Sequence, residues 1–441
     1  MFERRAYLLD ISRDRVPTNR TLRDLVDILA RSGYNELQLY MEHTFAYSNH
    51  REVWEEADPM TAEEILKLQI YCDMNGIDLV PCQNTFGHME RWLTKPKYNP
   101  LAKFPKGGAM TPWGTIKPFP TTLDPKNPGS IALVKELIDE LAPNFKSEYF
   151  NIGCDETFEI KDGKEYLDFV LQVIECVKKQ EKRPMMWGDI VLKHPELIAE
   201  LPRDTIVLDW GYEGNHPFME EGAKFKAAGL SWYVCGGTSS WRSLGGRVEN
   251  MRENLEAAER AGHHFGAMGY MVTDWGDEGH WQPLAASLPG LVMGGAFATS
   301  GAKSAKMDLE LELNRVMDIP LGGSLLRLGT LYLRGGALRA NCSELFNILL
   351  NDHGYSRHPG MTDSILNEIS GIAHGVKLTA QRYEDNIWAR EIVYMADLID
   401  AACHRRDEGR LRALRAEHGT IWKLRSRDGG RADSLKKLPR F

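Results

Sequence analysis

Residues 149–159 read YFNIGCDETFE. The opening residues suit a strand buried on both faces. A glycine then breaks the run, and two carboxylates follow side by side, Asp155 and Glu156. Adjacent acids repel each other, so a chain that keeps both at a strand end has a use for them there. Outward from this point, short apolar runs recur with amphipathic segments between them. Strands are predicted over 6–11, 35–41, 77–83, 148–153, 184–188, 205–210, 230–235 and 266–273. Helical spacing fills the gaps, as at Thr21–Ser32 (Leu22, Leu25, Val26, Ile28, Leu29) and Thr61–Asn75 (Ile65, Leu66, Leu68, Tyr71). Eight strand–helix units within about 300 residues predict an α/β fold, a closed (β/α)8 TIM barrel. A doubly wound open sheet is the runner-up, but no Gly-rich phosphate loop follows the first strand.

Past residue 310 the strand signal stops. Within 385–404, Trp388, Ile392, Met395, Ala396, Ile399 and Cys403 fall on one helical face. The expected division is therefore a catalytic barrel over 1–309 and a helical C-terminal region over 310–441. That region carries no chemistry that can be named. Three roles stay open for it: covering the barrel, completing the cleft of a neighbouring subunit, or forming a homodimer. Residues 92–130, between the third and fourth strands, are rich in Pro, Gly and Lys and read as a long functional loop.

Composition narrows the function classes. A chain of 441 residues with 43% hydrophobic and 26% charged residues can bury a core large enough for a precise site. No run of 18 or more apolar residues predicts a membrane span. The start, MFERRAYLLDISRDR, has no apolar signal core, so the expected compartment is the cytoplasm. Seven cysteines without a CxxC pair read as buried thiols. The net charge of −8 is uneven: 404–441 carries 12 Lys/Arg against 5 Asp/Glu, leaving −15 on the remainder. The basic residues alternate with Leu411, Leu414, Ile421, Trp422 and Leu424 at helical spacing, which favours a helix docked on an acidic body over a nucleic-acid partner.

In a barrel of this kind the chemistry sits at the C-terminal ends of the strands. Those ends carry Asp10 and Arg13; Glu42 and His43; Gln83, Asn84 and His88; Asp155 and Glu156; Trp187 and Asp189; Asp209, Trp210 and Tyr212; Thr238 and Trp241; and Asp274, Trp275, Asp277 and His280. Carboxylates among tryptophans point to a sugar site: indole faces cover the apolar side of a pyranose while carboxylates take its hydroxyls. A metal site is not expected, since neither HxH nor HExxH occurs and His263–His264 precede the eighth strand, at the wrong end of the barrel. A GxSxG elbow is absent too. No organic cofactor is expected.

If Asp155 ionises, its field raises the pKa of Glu156 and keeps that carboxyl protonated near neutral pH, fit to act as a general acid on a glycosidic oxygen. Sequence neighbours are poorly placed on opposite faces of one sugar ring, as an ordinary acid–nucleophile or acid–base pair requires. The pair fits substrate-assisted hydrolysis better. There the 2-acetamido oxygen of the substrate attacks, and the second acid orients the acetamido N–H and offsets charge on the forming oxazolinium ion.

NIGCDE resembles the H-x-G-x-D-E signature of the β-N-acetylhexosaminidases, family 20 of the glycoside hydrolases. RAYLLDISR, QNTFGHME, MMWGD and TDWGDEGHW are similar to further segments of that family in the same order, and QNTFGHME with IGCDE resembles its hexosaminidase D branch. The resemblance covers roughly 4–295. It implies exo-hydrolysis of terminal β-linked N-acetylglucosamine or N-acetylgalactosamine, without metal or organic cofactor. It makes Glu156 the acid/base and Asp155 the acetamido-orienting acid. It assigns Arg5 and Asp277 to sugar hydroxyls, and Trp187, Trp210 and Trp275 to the walls of the acetamido pocket. Tyr212, with Tyr233 as the alternative, would bond the acetamido carbonyl. His88 would support the acid, through Glu42. Two departures stand out: Asn151 where the signature has His, and Glu42–His43 in place of the usual second-strand acids. Three competing readings are a helix N-cap for the acid pair, a glycosidase for a non-acetylated sugar, and a catalytically silent glycan-binding barrel.

Overall fold

The computed structural model describes residues 1–351, 355–405 and 407–438. Eight parallel strands close into a barrel: Arg4–Asp10, Glu36–Met41, Asp78–Gln83, Tyr149–Asn151, Arg183–Trp187, Ile206–Trp210, Ser231–Gly237 and Gly269–Asp274. All eight fall within a few residues of their expected positions. The largest differences are a fourth strand shortened to 149–151 and an eighth displaced to 269–274. Each strand pairs with its neighbours in sequence and the first closes on the last, with Leu9 opposite Asp274. The third and fourth strands meet at one residue pair, Cys82 with Asn151, where the chain departs into the acid-bearing loop.

Strand alternation produces two cores. Ala6, Leu8, Tyr40, Val80, Cys82, Met185, Leu208, Cys235 and Met271 point inward and fill the barrel. Tyr7, Leu9, Leu37, Leu39 and Leu79 point outward, beneath the helices. The helices start where their caps place them. Thr18 caps Asn19–Arg31, Thr61 and Glu64 form a capping box on Ala62–Met74, and Asp162 caps Gly163–Lys178. The largely irregular chain over 94–127 contains a 3-10 turn at Asn99–Leu101 and a small hairpin, 109–110 with 116–117.

Beyond Leu309 the described chain is helical, from Leu309–Met317 to Arg431–Lys436, with Ile387–Cys403 matching the expected helix. Residues 352–354, 406 and 439–441 of the expected helical region lie outside the described residues. Its basic end docks on the body, as its spacing foretold. Arg427 Nη2 lies 2.8 Å from Glu64, Arg425 pairs with buried Glu391, and Lys437 reaches Glu278. The His418 ring stacks on Trp281 at 4.0 Å, fastening this region to the loop after the eighth strand. The stretch Leu284–Lys306 has the length and apolarity of a membrane span, but 78% of its most apolar window is buried inside the fold as a core helix.

Candidate active site

The loop leaving the fourth strand is irregular. The next helix begins only at Gly163, with Asp162 as its cap, so Asp155 and Glu156 do not serve as a helix N-cap. Gly153, Cys154 and Glu156 have φ of 70°, 69° and 50°, left-handed values that a free chain avoids at non-glycine residues. Neighbouring contacts hold the loop in place. Trp187 N–H bonds Gly153 O at 3.0 Å, Tyr166 Oη–H bonds Cys154 O at 2.9 Å, and Thr85 Oγ1–H bonds Ile152 O at 2.7 Å. Asn151 donates to Gln38 inside the barrel and accepts from Gly153 N, so it braces the turn that precedes the acids. The third-strand loop closes in from the other side: a Cβ on Gly87 would lie 2.3 Å from Asp155 O.

Between these loops stands His88, itself at φ 54°. Its Nε2 lies 3.2 Å from Asp155 Oδ2 and 3.5 Å from Glu156 Oε2, so the two carboxylates converge on one nitrogen. The acids nonetheless differ. For Asp155, burial favours the neutral form, but His88 and Arg13 outweigh it and hold its pKa below the ordinary value. For Glu156, burial is the larger force; with the fields of Asp155 and Asp189 it outweighs His88 and lifts the pKa to about 7. The expected field of Asp155 acts in the expected direction, but desolvation leads and Asp155 assists. Burial disfavours charge on His88, but Asp155 dominates the net result and raises its pKa to about 10, against opposition from Arg13. Asp155 Oδ1 is buried and accepts no hydrogen bond among the described residues.

The strand-end aromatics lie together. Trp187 and Trp275 lie 6.0 Å apart, Tyr212 stacks on Trp210 at 5.2 Å, and Tyr212 also faces Trp275 at 6.5 Å. The indole N–H groups of these three tryptophans are buried: that of Trp187 has no acceptor among the described residues, while those of Trp210 and Trp275 face Asp189 and Tyr212. Tyr233 is excluded as the alternative to Tyr212. Its hydroxyl bonds Glu36, the first residue of the second strand, on the barrel floor.

Arg5 is a second correction. Its guanidinium bonds the carbonyls of Gly33 and Phe2 at the N-terminal end of the barrel, a strand's length from the acids. The arginine that reaches the site is Arg13, three residues past the first strand. Its Nε lies 3.1 Å from Glu42 Oε1, its Nη1 3.2 Å from Asp10 Oδ2, and its guanidinium covers the rings of Tyr40 and Trp275. His88 Nδ1 faces Arg13 Nη2 at 3.3 Å, so the expected link from His88 to Glu42 runs through Arg13. Asp277 joins the same group: burial raises its pKa while Arg13 pulls it down. Glu42, also buried, accepts from Tyr40 Oη at 2.9 Å and is raised to about 7 despite Arg13.

Two more strand-end side chains belong here. Asp189 Oδ2 lies 3.4 Å from Glu156 N, and burial and then Asp155 lift its pKa to about 6. Trp241, 1% exposed, meets Tyr212 edge-on at 5.1 Å and donates to Asn341 of the helical region, which thereby touches the aromatic wall. Their position at strand ends was the available signal. His43 is buried with Arg91, Asp433 and Lys95 as its charged neighbours, and Asp274 is taken up by Tyr7, Thr238, Ser240 and Ser287. Cys154 is buried with its pKa pushed up to about 12, which suits packing and not nucleophilic attack.

Two buried carboxyls of unlike acidity beside a group of indoles fit a carbohydrate-cleaving barrel, a glycoside hydrolase. Residues 2–241 match the family described as "Glycosyl hydrolase family 20, catalytic domain", and the chain belongs to that family. It is 24% identical to hexosaminidase D of Bos taurus over 304 residues, 61% of this chain and 83% of that protein. Against human hexosaminidase D it is 23% identical over 321 residues, 65% of this chain and 63% of that one. Among solved structures it resembles a chitobiase of Flavobacterium johnsoniae, with a TM-score of 0.55 at 19% identity, covering 99% of this chain and 78% of that one. A Streptomyces plicatus N-acetyl-β-hexosaminidase solved with Thio-NAglucal gives a TM-score of 0.52 at 17% identity, covering 75% and 69%.

Proposed function

We propose that this glycoside hydrolase removes terminal β-linked N-acetylglucosamine or N-acetylgalactosamine with retention of configuration, the substrate's own acetamido oxygen being the nucleophile. The observation that carries the reading is the asymmetry of the acid pair on His88: Glu156 raised to about 7 and Asp155 held low, with Oδ1 of Asp155 buried and without a hydrogen-bond partner among the described residues. Glu156 gives its proton to the departing glycosidic oxygen. Asp155 Oδ1 accepts the acetamido N–H, turns the carbonyl oxygen toward the anomeric carbon, and offsets the positive charge of the oxazolinium ion. In this reading Tyr212 and the Trp187 indole N–H are the donors to the acetamido carbonyl and ring hydroxyls. The C1–O bond to the leaving group breaks as the C1–O bond to the acetamido oxygen forms. Glu156, now a carboxylate, then takes a proton from the water that opens the ring at C1. Arg13, Glu42 and Asp277 form the charged rim that takes the remote hydroxyls.

Aryl glycosides test this. The p-nitrophenyl N-acetyl-β-glucosaminide or galactosaminide should be hydrolysed and a thiazoline mimic of the oxazoline should inhibit strongly. Equal turnover of the corresponding p-nitrophenyl β-glucoside, which lacks the acetamido group, would refute the reading. The cytoplasm remains the compartment we propose.

A further inference from the structure

A second cluster lies behind the sixth strand, outside the barrel interior. Leu208 and Trp210 point inward, so Asp209 between them points outward, beneath the helix Phe218–Ala228. Asp209 is wholly buried; no N–H or hydroxyl group among the described residues donates to its oxygens, and the side chain that meets it is the Glu221 carboxyl. His216, from the loop after the strand, and Glu221, from the first turn of the helix, bring their polar atoms to it. One ligand atom from each of the three lies within 4.8 Å of the others. We propose that Asp209, His216 and Glu221 form a divalent-metal site of the kind zinc occupies.

Three features show that the site is built and not a chance grouping of acids. First, Asp209 and Glu221 bring two carboxyls together in a dry place, where burial and mutual repulsion disfavour charge and Lys224 opposes them only in part, a pairing that a cation relieves. Second, the His216 ring lies against Gly211, where a Cβ would be 2.1 Å from the ring, and Phe218 packs edge-on against its other side at 4.4 Å. The chain therefore has a glycine where the imidazole needs room and an aromatic that fixes its plane. Third, the His216 and Glu221 side chains keep 21% and 18% exposure, so an ion can enter from the surface. His216 Nε2 lies 2.7 Å from Glu221 Oε2, and on binding both atoms turn from each other to the ion.

One imidazole nitrogen and two carboxylate oxygens suit zinc with a fourth position for water, and the imidazole disfavours calcium or magnesium. The ligands come from a strand, a loop and a helix at spacings no short motif describes, so the sequence showed no HxH or HExxH. Occupancy ties the segment 211–217, which carries Tyr212, to the helix behind it. The site is structural: it touches no reacting atom.

The test uses the full-length protein, stripped with a chelator, dialysed against zinc chloride and desalted. Elemental analysis should find about one zinc per chain, with a melting temperature raised by zinc and lowered again by chelator. Asp209→Asn and, separately, His216→Gln should each lower zinc affinity about tenfold or more. His216→Gln, on a partly exposed loop, guards against a folding defect at Asp209, and circular dichroism checks both. Failure of the wild type to retain zinc or to shift its melting temperature would overturn the site. So would undiminished zinc in both folded variants, which would place the ion elsewhere, for example on a cysteine. Loss of zinc leaves the acetamido-dependent reaction to be judged separately, since neither variant alters the acid pair.

Discussion

His88 Nε2 sits 3.2 Å from Asp155 Oδ2, and this contact makes two neighbouring acids unlike each other. Both carboxylates are largely removed from water, and burial alone would protonate both. The His88 cation faces Asp155 more closely than Glu156, so Asp155 ionises and Glu156 keeps its proton. The difference in acidity comes from a histidine on the third-strand loop, which holds Asp155 low, and from burial and the Asp155 field, which raise Glu156.

The first consequence is in the pH profile. A general acid is competent while protonated, and Glu156 is raised to about 7. Values of kcat/KM for an aryl N-acetylhexosaminide should hold up below neutrality and fall as pH rises through about 7. A profile flat to pH 9 would remove Glu156 from this role.

Glu156→Gln should slow substrates with poor leaving groups by about 10²–10⁴-fold, and activated aryl glycosides much less. The same variant should be more stable than the wild type at alkaline pH. A raised carboxyl contributes fully below its unfolded value near 4.5, and that contribution is lost as pH climbs through about 7. At pH 8 the gain is up to about 3 kcal/mol, measurable by urea unfolding at pH 5 and pH 8.

His88→Gln leaves Asp155 buried without its cation. The carboxylate's pKa should rise, moving the acid limb of the pH–rate profile to higher pH, and stability at pH 6 should drop by about 3 kcal/mol. Because the His88 pKa is raised to about 10, its contribution is complete below pH 6.5 and lost as pH rises through 10. The stability gap between wild type and variant should therefore narrow toward pH 10.

Arg13 and Arg5 give a contrast. Arg13→Ala removes the cation that binds Glu42, Asp10 and the face of Trp275, and should cost about 10²-fold in kcat/KM. Arg5→Ala removes hydrogen bonds to floor carbonyls, costing about 1–2 kcal/mol of stability with kcat and KM unchanged. Steady-state kinetics paired with thermal melts distinguish the two.

Gly87→Ala would place a methyl 2.3 Å from Asp155 O, and backbone at that distance cannot yield by a rotamer change. Activity should fall by more than about tenfold while the far-ultraviolet circular dichroism stays that of the wild type.

The barrel was legible because buried parallel strands read as short apolar runs, and the acid pair because charges at a strand end are conspicuous. Register was not legible. The first strand begins at Arg4, two residues before the apolar run, so Arg5 falls on the floor and Arg13 takes the place its spacing could not reveal. Tyr212 and Tyr233 could not be separated until the strand direction put one at the rim and the other beside Glu36. The left-handed backbone at Cys154, Glu156 and His88 left no trace in residue type, since loop packing imposes it. Asp189 was visible as a strand-end acid, but its approach to Glu156 depends on how two loops fold together.

The central claim is that the substrate's amide supplies the attacking oxygen. Its most direct test is kcat/KM for aryl glycosides carrying acetyl, monofluoroacetyl, difluoroacetyl and trifluoroacetyl groups on the 2-amino nitrogen. Each fluorine withdraws electrons from the carbonyl oxygen, so the rate should fall steeply and steadily along the series. Rates that do not change with fluorine content would contradict the account.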